Sequence, residues 1–150
     1  MKRFAVLAFV AFAALAATGL SAGRAAAGPI HHLALQISDN DPQKMNTVLN
    51  VAANVARYYS GLGEEVEIRV VAFNAGLHML RQDTSPVLER LKGFEQGMPN
   101  VSFAACGNTM EAMAKKEGAP PPIVPNAEVV PAGVVTLIEL DEAGWTIVRP

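Results

Sequence analysis

Apolar positions along this chain switch between two spacings, and each switch marks a change of element. His32-Leu-Ala-Leu-Gln-Ile37 reads as a strand that ends in the polar turn Ser38-Asp-Asn-Asp41. Pro42 then opens a helix with Asp41 as its cap, because proline's missing N–H is no loss in a first helical turn. Met45, Val48, Leu49, Ala52, Val55, Ala56 and Tyr59 recur every three or four residues, a stripe down one helix face that Gly61 and Gly63 bring to an end.

Val66-Glu-Ile-Arg-Val-Val-Ala-Phe73 alternates and then turns continuously apolar, as a strand does when it enters the middle of a sheet. It ends at Asn74-Ala-Gly76. A short helical turn through Leu77 and Leu80 follows, and Ser85-Pro86 starts a second helix with Val87, Leu88 and Leu91 inward. After the break Gly97-Met-Pro99 comes the apolar run Val101-Ser-Phe-Ala-Ala105, closed by Cys106. Asn108-x-x-Glu111 has the spacing of a capping box, with Met110, Met113 and Ala114 on the apolar side of a helix that Gly118 stops. Ala119 to Pro125 is too rich in proline for regular structure, and a short strand Glu128-Val-Val130 succeeds it. Val134 to Leu140 fits strand or helix by propensity. Glu139, Asp141 and Glu142 on one side, with Gly144 as a stop, favour a helix before a last strand, Trp145-Thr-Ile-Val148.

Five strands alternating with helices predict an α/β fold: a three-layer, flavodoxin-like open sheet, mainly parallel, with helices on both faces. Ligands of such sheets sit beyond the carboxyl ends of the strands. Three loops are expected to meet there: Ser38 to Asp41, Asn74 to Gly76, and Cys106 to Asn108.

Composition adds a compartment. Lys2-Arg3, the uncharged run Phe4 to Leu20 and the sequence Ala25-Ala-Ala27 have the order of an export signal cut after Ala27, which predicts a periplasmic or otherwise exported protein without stable membrane insertion. Residues 28–150 then form one domain, since they suffice for one core and not for two. Removal of Lys2, Arg3 and Arg24 leaves nine basic side chains against 14 acidic ones, a net charge of about −5. An acidic surface with no basic stripe excludes a nucleic-acid partner. Ser38 to Asp41 holds no glycine and two carboxylates, so it cannot cradle a phosphate, and no nucleotide or other cofactor is expected.

Against this background Cys106, the only cysteine, is the main candidate for chemistry. A thiol where a strand passes into a helix faces the free N–H groups and partial positive charge of the helix start, which favour thiolate. Exported proteins usually pair their cysteines, so a single one points to a thiol kept for chemistry or to an intermolecular bond. A small buried apolar residue is the alternative. His78 lies near the same sheet edge as a weaker candidate for a Cys–His pair. His31 and His32 are adjacent on a strand and point to opposite faces, which hinders shared metal ligation, so no metal is expected.

The segments "VSFAACGNTM", "VEIRVVAFNAGLHML", "IVPNAEVVPAGVVTLIELDEAGW" and "TIVRP" together resemble the DsrE/DsrF-like sulfur-carrier family over His31 to Pro150. The resemblance implies a homo-oligomer, trimer or hexamer, and a cysteine that accepts a sulfane sulfur as a persulfide and hands it on. By position that cysteine is Cys106, with a small sulfur compound or a partner-protein thiol as the exchange partner. Gly107 would let a donor approach the backbone, and Asn108 would orient it or cap the helix. Ser38, Asn74 and Gly76 complete the expected substrate site. A non-catalytic oligomeric binding or assembly module with a structural cysteine remains the rival expectation.

Overall fold

The computed structural model describes residues 28–150; the expected export segment, 1–27, lies outside them. Five strands, β1 (His31–Ile37), β2 (Val66–Ala72), β3 (Val101–Cys106), β4 (Ala127–Val130) and β5 (Thr146–Val148), form one sheet in the order β4-β3-β2-β1-β5. All four strand pairs are parallel, and Cys106 stands opposite Val130. Helices α1 (Pro42–Leu62), α2 (Leu88–Gly97), α3 (Gly107–Glu117) and α4 (Gly133–Glu142) cover it, with a 3₁₀ helix at Asn74–Leu80. This is the three-layer α/β arrangement that the alternation predicts.

The two faces are covered unequally, and the strand order explains why. From β1 to β4 the chain steps across the sheet in one direction, so α1, the 3₁₀ helix, α2 and α3 all fall on one face. Their core holds Leu35, Leu49, Ile68, Leu77, Leu91 and Phe103, each nearly sealed from water. Truncating Phe103 to alanine is expected to cost about 3–5 kcal/mol. After β4 the chain returns across the whole sheet to place β5 beside β1, and a return in the opposite sense puts its helix, α4, on the opposite face. There Leu137 packs on Ala34, Val71, Ala104 and Val130. Small strand residues on this side let a single helix lie close.

Local signals account for the element ends. Asp41 is the N-cap of α1 and accepts from Gln43 N at 2.8 Å, Pro42 takes the first helical position, and Gly63 closes the helix with φ 72°, a conformation glycine adopts without steric cost. The second helix begins at Leu88, slightly later than Ser85-Pro86 suggests: Ser85 is held back by its hydroxyl donating to the Met79 carbonyl. The proline-rich stretch is pinned to the 3₁₀ helix, with Gln82 N donating to Pro122 O at 2.9 Å and Val124 N to Leu80 O at 3.0 Å. Among the described residues no helix is long and apolar enough to cross a membrane.

Candidate functional site

Strand parity sends Phe103 and Ala105 to the three-helix face, and Ala104 and Cys106 to the α4 face. Cys106 ends β3 and is at the same time the N-cap of α3, with no loop between. The asymmetry of the two faces now matters. Out of β3 the chain turns to one face, and out of the neighbouring β4 it turns to the other. The crevice between these diverging connections is the place where open α/β sheets receive ligands. Cys106 sits in it. Two helices therefore begin beside one sulfur: α3 at Gly107 and α4 at Gly133.

Small residues make that approach possible. A Cβ on Gly133 would stand 3.0 Å from Phe73 Cβ and 3.3 Å from Cys106 Cβ. A Cβ on Gly107 would stand 3.0 Å from the Val130 carbonyl oxygen and 3.3 Å from that of Pro131. Asn108 N donates to Pro131 O at 3.2 Å, which ties the start of α3 to the loop that precedes α4.

The electrostatics of the sulfur follow. Cys106 is 5% exposed, and burial pushes the thiol up. Against this, the Thr109 hydroxyl and the backbone N–H groups of Gly133, Thr109 and Asn108 face the sulfur; together they outweigh burial and bring the thiol below its ordinary value. The Cys106 side chain makes no cap hydrogen bond of full geometry, so the backbone groups act mainly as oriented dipoles. Thr109 is itself held: Asn74 N donates to its Oγ1 at 3.0 Å. Asn74 reaches that position at φ 49°, a left-handed conformation that asparagine tolerates better than most residues.

The exposed part of Cys106 opens on a cleft of about 910 Å³ between α3, the 3₁₀ helix and the start of α4. His78 lines it, but both ring nitrogens are engaged, Nδ1 by Asn40 Oδ1 at 2.6 Å and Nε2 by the Thr84 carbonyl at 2.9 Å. Neither is free to take a proton from Cys106, which sets aside a Cys–His pair. Arg81 lies in the wall and is neutralised from two sides, Nη2 to Asp83 at 2.8 Å and Nη1 to Glu117 at 2.7 Å; it holds the Asp83 carboxyl down at about 2.

Of the residues expected at the site, Cys106, Asn74 and Asn108 line the cleft together. The others have different duties. Ser38 does not line it; the loop after β1 contributes Asn40 instead. Gly76 is buried behind the wall, where a Cβ would strike the Ile37 backbone and stand 2.8 Å from Ser38 N. Gly107 faces the Val130 and Pro131 carbonyls, so its lack of a side chain serves packing between β3 and β4, not the approach of a donor. Asn108 is not a cap: the strand runs straight into the helix, Cys106 takes the cap position, and the capping-box spacing with Glu111 falls two residues late. Two residues beside the sulfur, Thr109 and Gly133, carry no local signal in the sequence. Thr109 belongs to no motif, and Gly133 comes near Cys106 only through the strand order.

His31 and His32 part as expected. His31 Nε2 donates to Glu64 Oε2 at 2.7 Å and its ring stacks on Tyr59, while His32 tilts against Trp145. Among the described residues no three His, Cys, Asp or Glu side chains are placed to share a metal ion.

No family model matches the chain, and no curated protein matches it. A solved structure does: that of a protein of unknown function, MTH1491 from Methanobacterium thermoautotrophicum, with a TM-score of 0.65 and 26% identity, covering 80% of this chain and 99% of that one. The two share the α/β fold over nearly the whole described domain.

Proposed function

We propose that Cys106 accepts a sulfane sulfur as a persulfide and passes it to a partner, in the manner of the DsrE/DsrF-like family that the sequence resembles. One observation carries this reading: the lone thiol stands between two helix starts, favoured as thiolate by Thr109 and three backbone N–H groups, and it opens on a cleft. A thiolate is the form that attacks sulfur. In loading, Sγ attacks the outer sulfur of a donor R–S–SH; the donor S–S bond breaks and its electron pair leaves with R–S⁻, which takes the proton. The products are Cys106–S–S⁻ and R–SH, with no outside oxidant. An acceptor thiolate removes the outer sulfur by the same step in reverse.

Export of residues 28–150 and assembly as a homo-oligomer, trimer or hexamer, belong to the same reading. Val134, Val135 and Ile138 on α4 and Val129 on the edge strand β4 are all more than half exposed, the type of apolar surface that oligomers bury. Intact mass after incubation with sodium tetrasulfide tests the carrier role. A gain of about 32 Da, one sulfur atom, on the wild type and none on Cys106→Ser is the expected result. An unmodified wild type that also resists alkylation until denatured would make Cys106 a packing residue.

A further inference from the structure

A histidine with an oxygen at each ring nitrogen has its protonation state written into its surroundings. His78 Nε2 stands 2.9 Å from the Thr84 backbone carbonyl oxygen, and Nδ1 stands 2.6 Å from Asn40 Oδ1. Both oxygens accept and neither can donate, so the two contacts are both hydrogen bonds only when each nitrogen carries a proton. The arrangement is that of the imidazolium cation. Neutral imidazole has one N–H, and its bare nitrogen would face an oxygen lone pair.

The two oxygens differ in how they can answer the loss of a proton. The Thr84 carbonyl belongs to the backbone and is fixed. Asn40 is exposed, and half a turn of its amide exchanges Oδ1 for the Nδ2 amino group, a donor. Deprotonation therefore leaves Nε2–H on Thr84 and turns the Asn40 amide over, so that Nδ2 donates to the bare Nδ1.

His78 comes from the 3₁₀ helix and Asn40 from the loop after β1, and both line the cleft onto which Cys106 opens. The fixed charges on either side cancel. On one side Arg81 and Lys116 stand against Asp83 and Glu117. On the other, Asp39 and Asp41 of the loop are balanced by Lys44 and Arg149, both of which pair with Asp39. From α3 the imidazolium faces Glu117, a carboxylate held below its ordinary value by Arg81 first and by His78 to a smaller extent. Imidazole is the side-chain group that changes charge near neutral pH, so the proton on His78 decides whether this wall is neutral or positive.

We propose that His78 and Asn40 form a proton-operated switch in the cleft wall: the protonated pair makes the wall positive, and the deprotonated pair turns the Asn40 amide over and returns the wall to neutrality. The switch does not depend on the carrier reading of Cys106.

Heteronuclear NMR of the intact domain, from acid to alkaline pH, tests the switch directly. At acid pH both ring nitrogens of His78 are expected to carry protons. At alkaline pH Nδ1 alone should have lost its proton, and the Asn40 side-chain amide resonances should move with the same midpoint. A neutral ring protonated at Nδ1, or an Asn40 amide that does not follow His78, overturns the switch. Alkylation of Cys106 reads the charge of the wall, because the ratio of its rates with iodoacetate and with iodoacetamide cancels the thiolate fraction. In low salt that ratio should fall about two-fold as pH rises through the His78 midpoint, the worth of one unit charge about 10 Å away in water, and stay level in His78→Gln. A level ratio in the wild type, or the same fall in His78→Gln, overturns the charge assignment. The NMR measurement decides on its own where the thiol does not react.

Discussion

Two strand-to-helix turns stand on the same edge of the sheet and use the positive end of a helix in opposite ways. At the β1–α1 turn the N-cap is a carboxylate: Asp41 accepts from Gln43 N, and proline occupies the first helical position. The helix end is neutralised from within, and the product is stability. At the β3–α3 turn the N-cap is Cys106, glycine takes the first position, and no side chain caps the helix. The end stays open toward the sulfur, and the product is a thiol shifted toward thiolate. The same backbone dipole stabilises a fold in one turn and favours a thiolate in the other, and the cap side chain decides which.

Replacing the cap is the largest test of that contrast. Cys106→Ser should abolish sulfur loading in intact mass entirely, yet leave stability unchanged or raised by up to about 1 kcal/mol, since serine is a good N-cap. A thermal melt that shows Cys106→Ser unfolded would break the comparison. Next comes Gly107→Ala. Its Cβ would press on the carbonyls of Val130 and Pro131, so a loss of about 1–2 kcal/mol in urea unfolding is expected, with slower alkylation as the start of α3 shifts away from the sulfur. Asp41→Ala removes the other cap and should cost about 1 kcal/mol while leaving the alkylation rate of Cys106 as it was. A change in that rate would mean the two turns are not independent.

The finer test is Thr109→Val, which removes the hydroxyl that faces the sulfur, a change expected to cost about 1 kcal/mol of thiolate stabilisation. The pH profile of iodoacetamide alkylation should move upward in Thr109→Val and return in Thr109→Ser; an unmoved profile would leave the backbone N–H groups as the whole cause. The smallest effect is on stability. Folding lowers the thiol pKa, so between the folded value and the ordinary thiol value the unfolded chain holds a proton that the folded chain has released. Wild-type stability relative to Cys106→Ser should therefore rise with pH across that window, be complete above the ordinary value, and vanish as pH falls through the folded one. Urea midpoints measured from neutral to alkaline pH check the sign.

The sequence was most legible where one residue type does one local job. Asp41, Pro42 and Gly63 mark both ends of α1 because cap, first-turn proline and left-handed glycine act within a few residues of themselves. The position of Cys106 was legible for the same reason, since an apolar run stops at it. Asn108 misled because its spacing to Glu111 copies a capping box, whereas the helix begins earlier, at the end of a strand with no loop. Gly133 was beyond local reading altogether. It reaches Cys106 only because β4 lies beside β3 and sends its helix to the other face, a fact of strand order that no window of residues contains. Ser38 shares the sheet edge with Cys106 but stays outside the cleft, because β2 lies between β1 and β3 and only Asn40 of that loop reaches across.

Gly133 lies 27 positions downstream of the atom it acts on, past the proline-rich stretch and β4. A growing or shortened chain that stops at Gly118 already carries its cysteine, yet lacks one of the two helix starts around it. Such a chain keeps Thr109 and the start of α3 but lacks the Gly133 N–H that helps bring the thiol down. The full shift toward thiolate is thereby tied to the docking of the last quarter of the chain.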